Sequence, residues 1–324
     1  MNGGRMYAKR FAGVCAAVAA LSMGLCQGAS AGTVAYRAID SRGLTYGEVD
    51  FTAATGETND VSVTLTSEAA VITDTNPLQP DSAATSSHCT FSGDRAVCRT
   101  DALFPFAGTE IKLGDGNDTG RVITSAQRPS PIFPSVGLQG ATIYGGPGND
   151  TLIGSVGSDW LVGGTGADDL RGGQGSDWAD YTQDGDQTLG AKVTLDNVAD
   201  DGRGSEHDNV HSDVENVDGT TQGNNVLIGS DSDNVLMGHF GSDTLRGGAG
   251  NDTLYSGLDP GSTAPDTLDG GLGIDTLWGS GGDDKIEARD GLPDLRITCG
   301  DGNDVVTADS TDPHDTDCET VNTG

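Results

Sequence analysis

The most regular feature of the chain is a nine-residue alternation of glycine-rich polar positions with short apolar ones. Residues 145–180 read GGPGNDTLI, GSVGSDWLV, GGTGADDLR and GGQGSDWAD, four units in one frame without a gap. Glycine opens each unit, where the backbone must turn tightly, and a bulky aliphatic residue usually stands at the eighth position. The period predicts a repeat protein in which every unit is a turn followed by a short strand with one inward side chain.

The same frame returns further along the chain. Residues 220–255 contain four more units, and 261–287 contain three after five extra residues. A last unit begins at Cys299, and an isolated early unit begins at Leu113 but has Gly120 in place of the strand residue. The side chains predicted to point inward are Leu152, Leu161, Leu170, Leu227, Leu236, Leu245, Leu254, Leu268, Leu277 and Ile286.

Position six of the unit carries the candidate chemistry. Two units make one coil of a parallel solenoid, so Asp150 is expected over Asp168, and Asp159 over Asp177. Carboxylates one strand spacing apart, ~4.8 Å, repel one another unless a cation lies between them. Carboxylate and turn carbonyl oxygens select calcium over zinc or copper, and magnesium is disfavoured because it requires stricter octahedral geometry. The predicted ligands are Asp118, Asp150, Asp159, Asp168, Asp177, Asp243, Asp252, Asp266, Asp275, Asp284 and Asp304.

The pattern GGxGxDxUx, where U is a large aliphatic residue, resembles the RTX, or hemolysin-type, calcium-binding repeat. The resemblance covers residues 145–307 with interruptions. It implies an all-β fold, a parallel β-roll with calcium between successive turns, bound by the position-six Asp and turn carbonyls. Asn225 and Asn234 depart from the pattern, so calcium sites there are expected to be weaker or absent. Ala179 replaces the large aliphatic residue, which predicts the end of the first roll.

Composition makes a metal important for folding. The chain has 49 acidic and 17 basic residues, a formal charge of −32, and only 34% hydrophobic residues. This charge excludes nucleic acid as a default partner, because phosphate binding needs a basic surface. A leucine column one residue wide per strand is a small core for a chain of this length, so calcium binding and folding are expected to be one process.

The start of the chain has the features of a secretory signal peptide. A positive head is followed by an apolar stretch and by the small-residue cleavage site Ala29-Ser30-Ala31. A lipid anchor at Cys26 is disfavoured, because Met23-Gly24-Leu25 is a poor lipoprotein signal. No later segment approaches the ~20 apolar residues of a membrane helix.

The patterns divide the chain into six segments. They are a signal peptide (1–31), an N-terminal β-rich cap (32–112), a first repeat block (113–180), an acidic β insert (181–219), a second repeat block (220–307) and a C-terminal tail with a disulfide (308–324).

Two of these segments lack the repeat. In the cap, Leu44–Phe51, Val61–Thr66 and Ala69–Thr73 are typical of strands.

In the insert, alternation around Val193, Leu195 and Val198 predicts a strand that extends the roll, as in similar inserts of secreted actinobacterial calcium-binding proteins. The insert also holds an acidic cluster, interpreted either as a further calcium site or, by preference, as a solvated loop. The cluster comprises Asp196, Asp200, Asp201, Glu206 and Asp208.

Four cysteines remain after the signal peptide and allow three pairings in an oxidising compartment. Cys89 and Cys98 flank the turn-like Ser92-Gly93-Asp94-Arg95, which suits a hairpin disulfide. By exclusion, Cys299 would pair with Cys318. Zinc binding is disfavoured, since the sequence has neither a CxxC pair nor a histidine cluster.

The sequence contains no recognisable catalytic motif: GxSxG, HExxH and the Walker loop are all absent. Trp160, Trp178 and Trp278 flank strands. They are interpreted either as an exposed face that binds carbohydrate or a partner or, by preference, as ordinary β packing.

The sequence predicts a secreted, non-enzymatic protein that folds on binding extracellular calcium, in a structural, adhesive or calcium-sequestering role. Cell-surface or matrix components are candidate partners. The alternative is an extracellular enzyme acting on polysaccharide or peptide, with the repeats as an accessory region.

Overall fold

The computed structural model describes residues 31–41, 44–66, 69–81, 87–99, 106–124, 139–183, 185–257 and 262–323. The predicted signal peptide, apart from its last residue, lies outside these residues, and so does Cys26. The described chain is all-β and its repeats form parallel sheets, as predicted. None of the described residues forms a helix long and apolar enough to cross a membrane.

The strands are short in the repeats and longer near the N-terminus. The first half contains β1 (Gly32–Ser41), β2 (Leu44–Thr52), β3 (Asp60–Leu65), β4 (Ala69–Thr73), β5 (Leu78–Pro80), β6 (Cys89–Ser92), β7 (Arg95–Arg99), β8 (Phe106–Lys112), β9 (Thr119–Thr124), β10 (Gln139–Pro147), β11 (Thr151–Ile153), β12 (Ser158–Thr165), β13 (Asp169–Arg171) and β14 (Trp178–Asp180). The second half contains β15 (Ala191–Thr194), β16 (Gly202–Arg203), β17 (Asn209–Val210), β18 (Asn216–Asp218), β19 (Val226–Ile228), β20 (Val235–Met237), β21 (Thr244–Ala249), β22 (Thr253–Tyr255), β23 (Thr267–Leu272), β24 (Thr276–Trp278), β25 (Lys285–Ala288), β26 (Arg296–Thr298), β27 (Val305–Ala308) and β28 (Thr320–Thr323).

These strands form three sheets. The long sheet has twelve strands in the order β26-β24-β22-β20-β18-β14-β12-β10-β8-β2-β1-β5. Two eight-stranded sheets, β17-β13-β11-β9-β3-β4-β7-β6 and β16-β15-β19-β21-β23-β25-β27-β28, supply the alternate strands of the coils. In the repeats, successive strands therefore alternate between the long sheet and one of the shorter ones, which is the winding of a roll.

The register confirms that two units make one coil. Leu152 lies beside Leu170, and Leu245 beside Leu268, each in parallel pairing. All ten predicted inward side chains are buried, none with more than 1% of its surface exposed. Burial of these side chains stabilises each coil through the hydrophobic effect, but the column is only one side chain wide per strand.

The predicted end of the first roll at Ala179 is wrong. Ala179 pairs with Leu161 on one side and Val217 on the other, so the long sheet runs through it without a break. A small apolar side chain still fits the inward column, where Ala179 is fully buried. The interruption lies instead on the opposite side of the roll, where β17 ends one short sheet and β16 begins the other.

The insert therefore supplies coils to the roll. The predicted strand is β15, which pairs in parallel with β19, while β17 and β18 continue the sheets of the first block. The predicted alternation stops early, because Leu195 is buried but Val198 is 53% exposed.

The three strands predicted in the N-terminal segment are confirmed as β2, β3 and β4. Strands β2 and β3 lie parallel to β8 and β9, so they make one more coil of the roll. The antiparallel strands β1 and β4 then close this end. A disulfide joins Cys89 to Cys98 across the β6–β7 hairpin, as predicted.

The isolated early unit is also a coil. Gly120 lies between Val61 and Leu152 in the sheet, where a leucine would normally point inward. A Cβ at Gly120 would come within 3.0 Å of both Leu113 and Ile143, which fill that space instead. At the far end, the second predicted disulfide, Cys299–Cys318, is present.

Candidate metal centre

The position-six aspartates stack as the sequence predicts. The backbone N–H of Asp150 donates to Oδ1 of Asp168 (2.8 Å), and that of Asp159 donates to Oδ1 of Asp177 (2.7 Å). Each aspartate thus holds the start of the strand in the preceding coil. Backbone turns of fixed shape bring the carboxylates into line, one per coil.

The stacked side chains form three columns. The first short column consists of Asp118, Asp150, Asp168 and Asp208. The second short column consists of Asn225, Asp243, Asp266, Asp284, Asp304 and Glu319. The long column follows the long sheet and consists of Asp159, Asp177, Glu215, Asn234, Asp252, Asp275, Asp294 and Asp312.

All eleven predicted aspartates lie in these columns, and none is more than 2% exposed. Oδ1 accepts the hydrogen bond of the ladder, but in most of them Oδ2 is buried and finds no hydrogen-bond partner among the described residues. The aspartates with such an Oδ2 are Asp118, Asp150, Asp168, Asp177, Asp243, Asp252, Asp266, Asp284 and Asp304. A buried carboxylate oxygen without a partner is costly, so each of these atoms indicates a missing positive charge.

Carbonyl oxygens converge on the same points. A Cβ placed on Gly145 would lie 2.5 Å from Asp150 Oδ2 and 2.5 Å from the carbonyl oxygen of Gly163 in the next coil. At Gly238, the corresponding oxygens belong to Asp243 (2.5 Å) and Ser256 (2.7 Å). This crowding explains the glycine at position one, since any side chain would displace the oxygens.

The pKa values of the column aspartates reflect their burial and their stacking. Burial raises the pKa of Asp150, Asp168, Asp177, Asp243 and Asp252 to about 7 from an ordinary 3.8. Neighbouring carboxylates in the column add to the shift, as Asp118 does for Asp150. Without a cation, the fold therefore opposes ionisation of its own columns.

The donor set fits calcium. It consists of carboxylate and turn carbonyl oxygens, which hard Ca²⁺ prefers, and it includes none of the nitrogen or sulfur ligands favoured by softer metals. The residues that would hold the ions are the column aspartates, through Oδ2, together with turn carbonyls such as that of Gly163. A bound ion would supply the positive charge that compensates these buried carboxylates.

Several residues of the columns lie outside the nonapeptide units. Glu215 accepts the backbone N–H of Asp177 (2.8 Å) and Asp208 accepts that of Asp168 (2.9 Å), although neither lies in a GGxGxD unit. The only signal for both was an acidic residue followed by Asn-Val, which is too common to single out. The preferred interpretation of the insert as a solvated acidic loop is wrong for Asp208 and Asp201, which are 2% and 1% exposed. They are buried because the insert winds into the roll.

The side-chain amide of Asn225 donates hydrogen bonds to the turn carbonyls, which in other coils face a carboxylate. Its Nδ2 donates to the carbonyl oxygens of Gly238 (2.7 Å), Thr220 (3.1 Å) and Gly223 (3.1 Å), while Oδ1 accepts the backbone N–H of Ala191 (2.9 Å). Asn234 acts similarly, with Nδ2 donating to the carbonyl oxygen of Glu215 (2.7 Å). These contacts give a physical reason for the expectation of weak or absent calcium sites at both asparagines.

Arg203 brings a positive charge into the insert. It is only 4% exposed; Nη2 donates to the carbonyl oxygen of Gly164, and Nε lies 3.4 Å from Glu206 Oε2. Its guanidinium also lies over the ring of Tyr181, whose hydroxyl donates to Asp208 (3.0 Å). A protein cation therefore reaches a turn carbonyl at the end of the first short column.

The tryptophans pack against their neighbours. The rings of Trp160 and Trp178 stack at 4.9 Å with an angle of 15° between them, and Trp160 Nε1 donates to Asp180 (2.7 Å). Trp278 lies against Tyr255 at 5.8 Å. These contacts agree with the preferred interpretation, ordinary β packing.

A parallel roll whose turns hold columns of buried carboxylates defines the class of calcium-binding β-roll proteins. The family model of the RTX calcium-binding nonapeptide repeat matches this chain in four copies, over residues 144–179, 220–258 and 260–291. These residues therefore carry RTX, or hemolysin-type, calcium-binding repeats, as the sequence pattern predicts. No curated protein matches it.

Proposed function

We propose that this is a secreted protein that folds into its roll when extracellular calcium enters the three columns. The observation that carries the proposal is the set of buried Oδ2 atoms without a partner, one in nearly every repeat coil. Each needs a positive charge, and the chain, at −32, has too few basic residues to supply it. Export is supported by the signal-like N-terminus and by the two disulfides.

The proposed switch follows from the balance of charge and entropy. A chain rich in Asp and Gly with a narrow core cannot offset its conformational entropy while its carboxylates repel one another. Calcium removes that repulsion and binds only the folded roll, so its binding free energy becomes folding free energy. Extracellular modules with oxygen ligands commonly bind calcium at ~10⁻⁴–10⁻³ M, which would keep the roll open where calcium is scarce.

We propose a non-catalytic role, in structure, adhesion or calcium sequestration, with calcium and cell-surface or matrix components as partners. Much of the described chain consists of roll coils, and the strands β1, β4, β5, β6 and β7 close one end. An enzyme would need a further active site, and the N-terminal segment of about 80 residues is small for a catalytic domain.

The test is a calcium titration followed by circular dichroism. The wild-type chain should be disordered after dialysis against EGTA at pH 7.5 and should gain β signal as calcium is added. Asp159→Asn with Asp177→Asn should raise the calcium midpoint several-fold, because both lie in the long column. Asp200→Asn, which removes one exposed charge in the insert, is the control and should leave it unchanged.

An ordered roll in EGTA at neutral pH would contradict the folding switch. An unchanged midpoint in the double variant would contradict the assignment of these two ligands while leaving the switch intact.

A further inference from the structure

Before and after its last repeat unit, which begins at Cys299, the roll contains turns of a different sequence. Residues 289–294 read RDGLPD and residues 308–313 read ADSTDP, and neither contains the GGxGxD pattern. Strand β26 nevertheless pairs with β24 in the long sheet, and Ile297 forms a further parallel bridge to His314. Two coils without a nonapeptide turn therefore extend the side of the roll that carries the long column.

Asp294 takes the place of a position-six aspartate in the first of these coils. Its Oδ1 accepts the backbone N–H of Asp275 (2.9 Å), and its own N–H donates to Oδ1 of Asp312 (3.1 Å). This is the ladder found between the aspartates of the matched repeats. Asp290 contributes a second link, since its Oδ2 accepts the N–H of Gly273 in the coil before (2.7 Å).

The second carboxylate oxygen of Asp294 indicates a ligand independently of the hydrogen-bond ladder. Asp294 is 5% exposed, and its Oδ2 is buried without a hydrogen-bond partner among the described residues. Burial first, and then the charges of Asp275, Asp312 and Asp290, raise the pKa of Asp294 to about 7. The same unpartnered Oδ2 is found in most aspartates of the matched repeats.

The nearby arginines are engaged elsewhere. Arg296 binds Asp315 through Nη2 (2.6 Å) and lies over the ring of Trp278, and Arg289 donates to the carbonyl oxygen of Asn322 (2.9 Å). Charge compensation for Asp294 must therefore come from outside the chain. A hard cation with oxygen ligands fits, as in the other coils.

We propose that Asp294, together with Asp275 and Asp312, forms a further calcium site in the non-repeat turns of the long column. The inference rests on the proposed function, because it extends the same column chemistry to turns that lack the nonapeptide pattern. It implies that calcium stabilises the C-terminal coils directly and that turns without the nonapeptide pattern also bind it.

The test is the calcium stoichiometry of the full chain, measured by isothermal titration calorimetry at pH 7.5. Asp294→Asn should bind one calcium ion fewer than the wild type, because the amide removes the charge at Oδ2. Asn225 and Asn234 show that an asparagine is accommodated in a column. Asp301→Asn, which removes an exposed charge from an adjacent turn, is the control and should retain the full stoichiometry.

A second variant covers the case in which Asp294→Asn does not fold in calcium. Asp312→Asn changes the last coil of the column and should also lower the stoichiometry or weaken the last binding step about tenfold. Full stoichiometry and wild-type affinity in the variants that fold would overturn the inference while leaving the proposed function intact. Failure of the wild type to bind calcium would instead overturn the proposed function.

Discussion

Asn225 and Asp243 occupy the same place in successive coils but hold their turns together in different ways. The amide of Asn225 donates to turn carbonyls of its own and the next coil, whereas Asp243 has a buried Oδ2 without a partner among the described residues. An amide carries its own donors, so it closes the turn at once. A carboxylate leaves the carbonyls facing another negative oxygen, so it needs an ion.

This contrast predicts the effect of Asn225→Asp. Without calcium, the variant should lose about 1–3 kcal/mol of unfolding free energy, because the turn carbonyls lose the donors of the amide. With calcium, it should bind one more ion than the wild type. Urea unfolding under acidic, calcium-free conditions and calorimetric titration at pH 7.5 would measure the two effects.

Asn224→Asp is a matched control, since it adds the same charge at an exposed neighbouring position. Equal stoichiometry in Asn225→Asp and the control would show that the amide does not stand in for a metal.

At the scale of elements, the insert joins the two repeat blocks through a buried ionic group. Arg203 in β16 reaches the turn of the preceding block through Gly164 and pairs with Glu206 in its own segment. Removing one partner of a buried ionic group leaves the other charge uncompensated, which commonly costs ~3–5 kcal/mol.

Arg203→Met should therefore destabilise the calcium-loaded roll by about 3 kcal/mol, measured by urea unfolding. Lys192→Met is the control, because Lys192 lies in the same insert but forms only an exposed pair with Asp200. Exposed pairs contribute ~0–1 kcal/mol. Similar losses in the two variants would contradict a role for Arg203 in joining the blocks.

The elements that follow a local period could be predicted from the sequence. The nine-residue frame gives the turns, the inward leucines and the stacking of Asp150 on Asp168, because each depends on residues a fixed distance apart. The strands of the cap were also predictable, since alternation in Val61–Thr66 is a local property.

What the sequence could not give depends on contacts between distant segments. Ala179 indicates a break only if the next coil is unknown; Val217 continues the sheet from a segment without the repeat. Asp208, Glu215 and Asp294 also depend on distant contacts, because they join the columns only when the chain winds against an earlier coil. The residues around them in sequence do not show the nonapeptide pattern.

For the whole molecule, the columns predict an unusual dependence on pH. The pKa of many column carboxyls is raised from 3.8 to about 6–7 in the metal-free fold, first by burial. A raised pKa means that the protonated form favours folding. Its contribution is complete below about pH 4 and is lost as the pH rises toward 7.

Calcium-free protein should therefore show more β signal at pH 4 than at pH 7.5, the reverse of ordinary acid denaturation. With calcium present the roll should be ordered at pH 7.5, and its calcium affinity should fall below about pH 6 as protons compete for the carboxylates. Circular dichroism of resin-treated protein across this range would test both. A calcium-free β signal that grows with pH would contradict the charge argument.

The uninterrupted long sheet also fixes a distance. From β2 to β26 it stacks ten parallel strands, and nine spacings of ~4.8 Å give about 43 Å between the closed N-terminal end and the disulfide-linked last coils. Whatever is attached at the two ends is thus held at a set separation by a rigid rod. Withdrawal of calcium would unfold that rod into a flexible chain, so the ion would control the distance between the two ends as well as the fold.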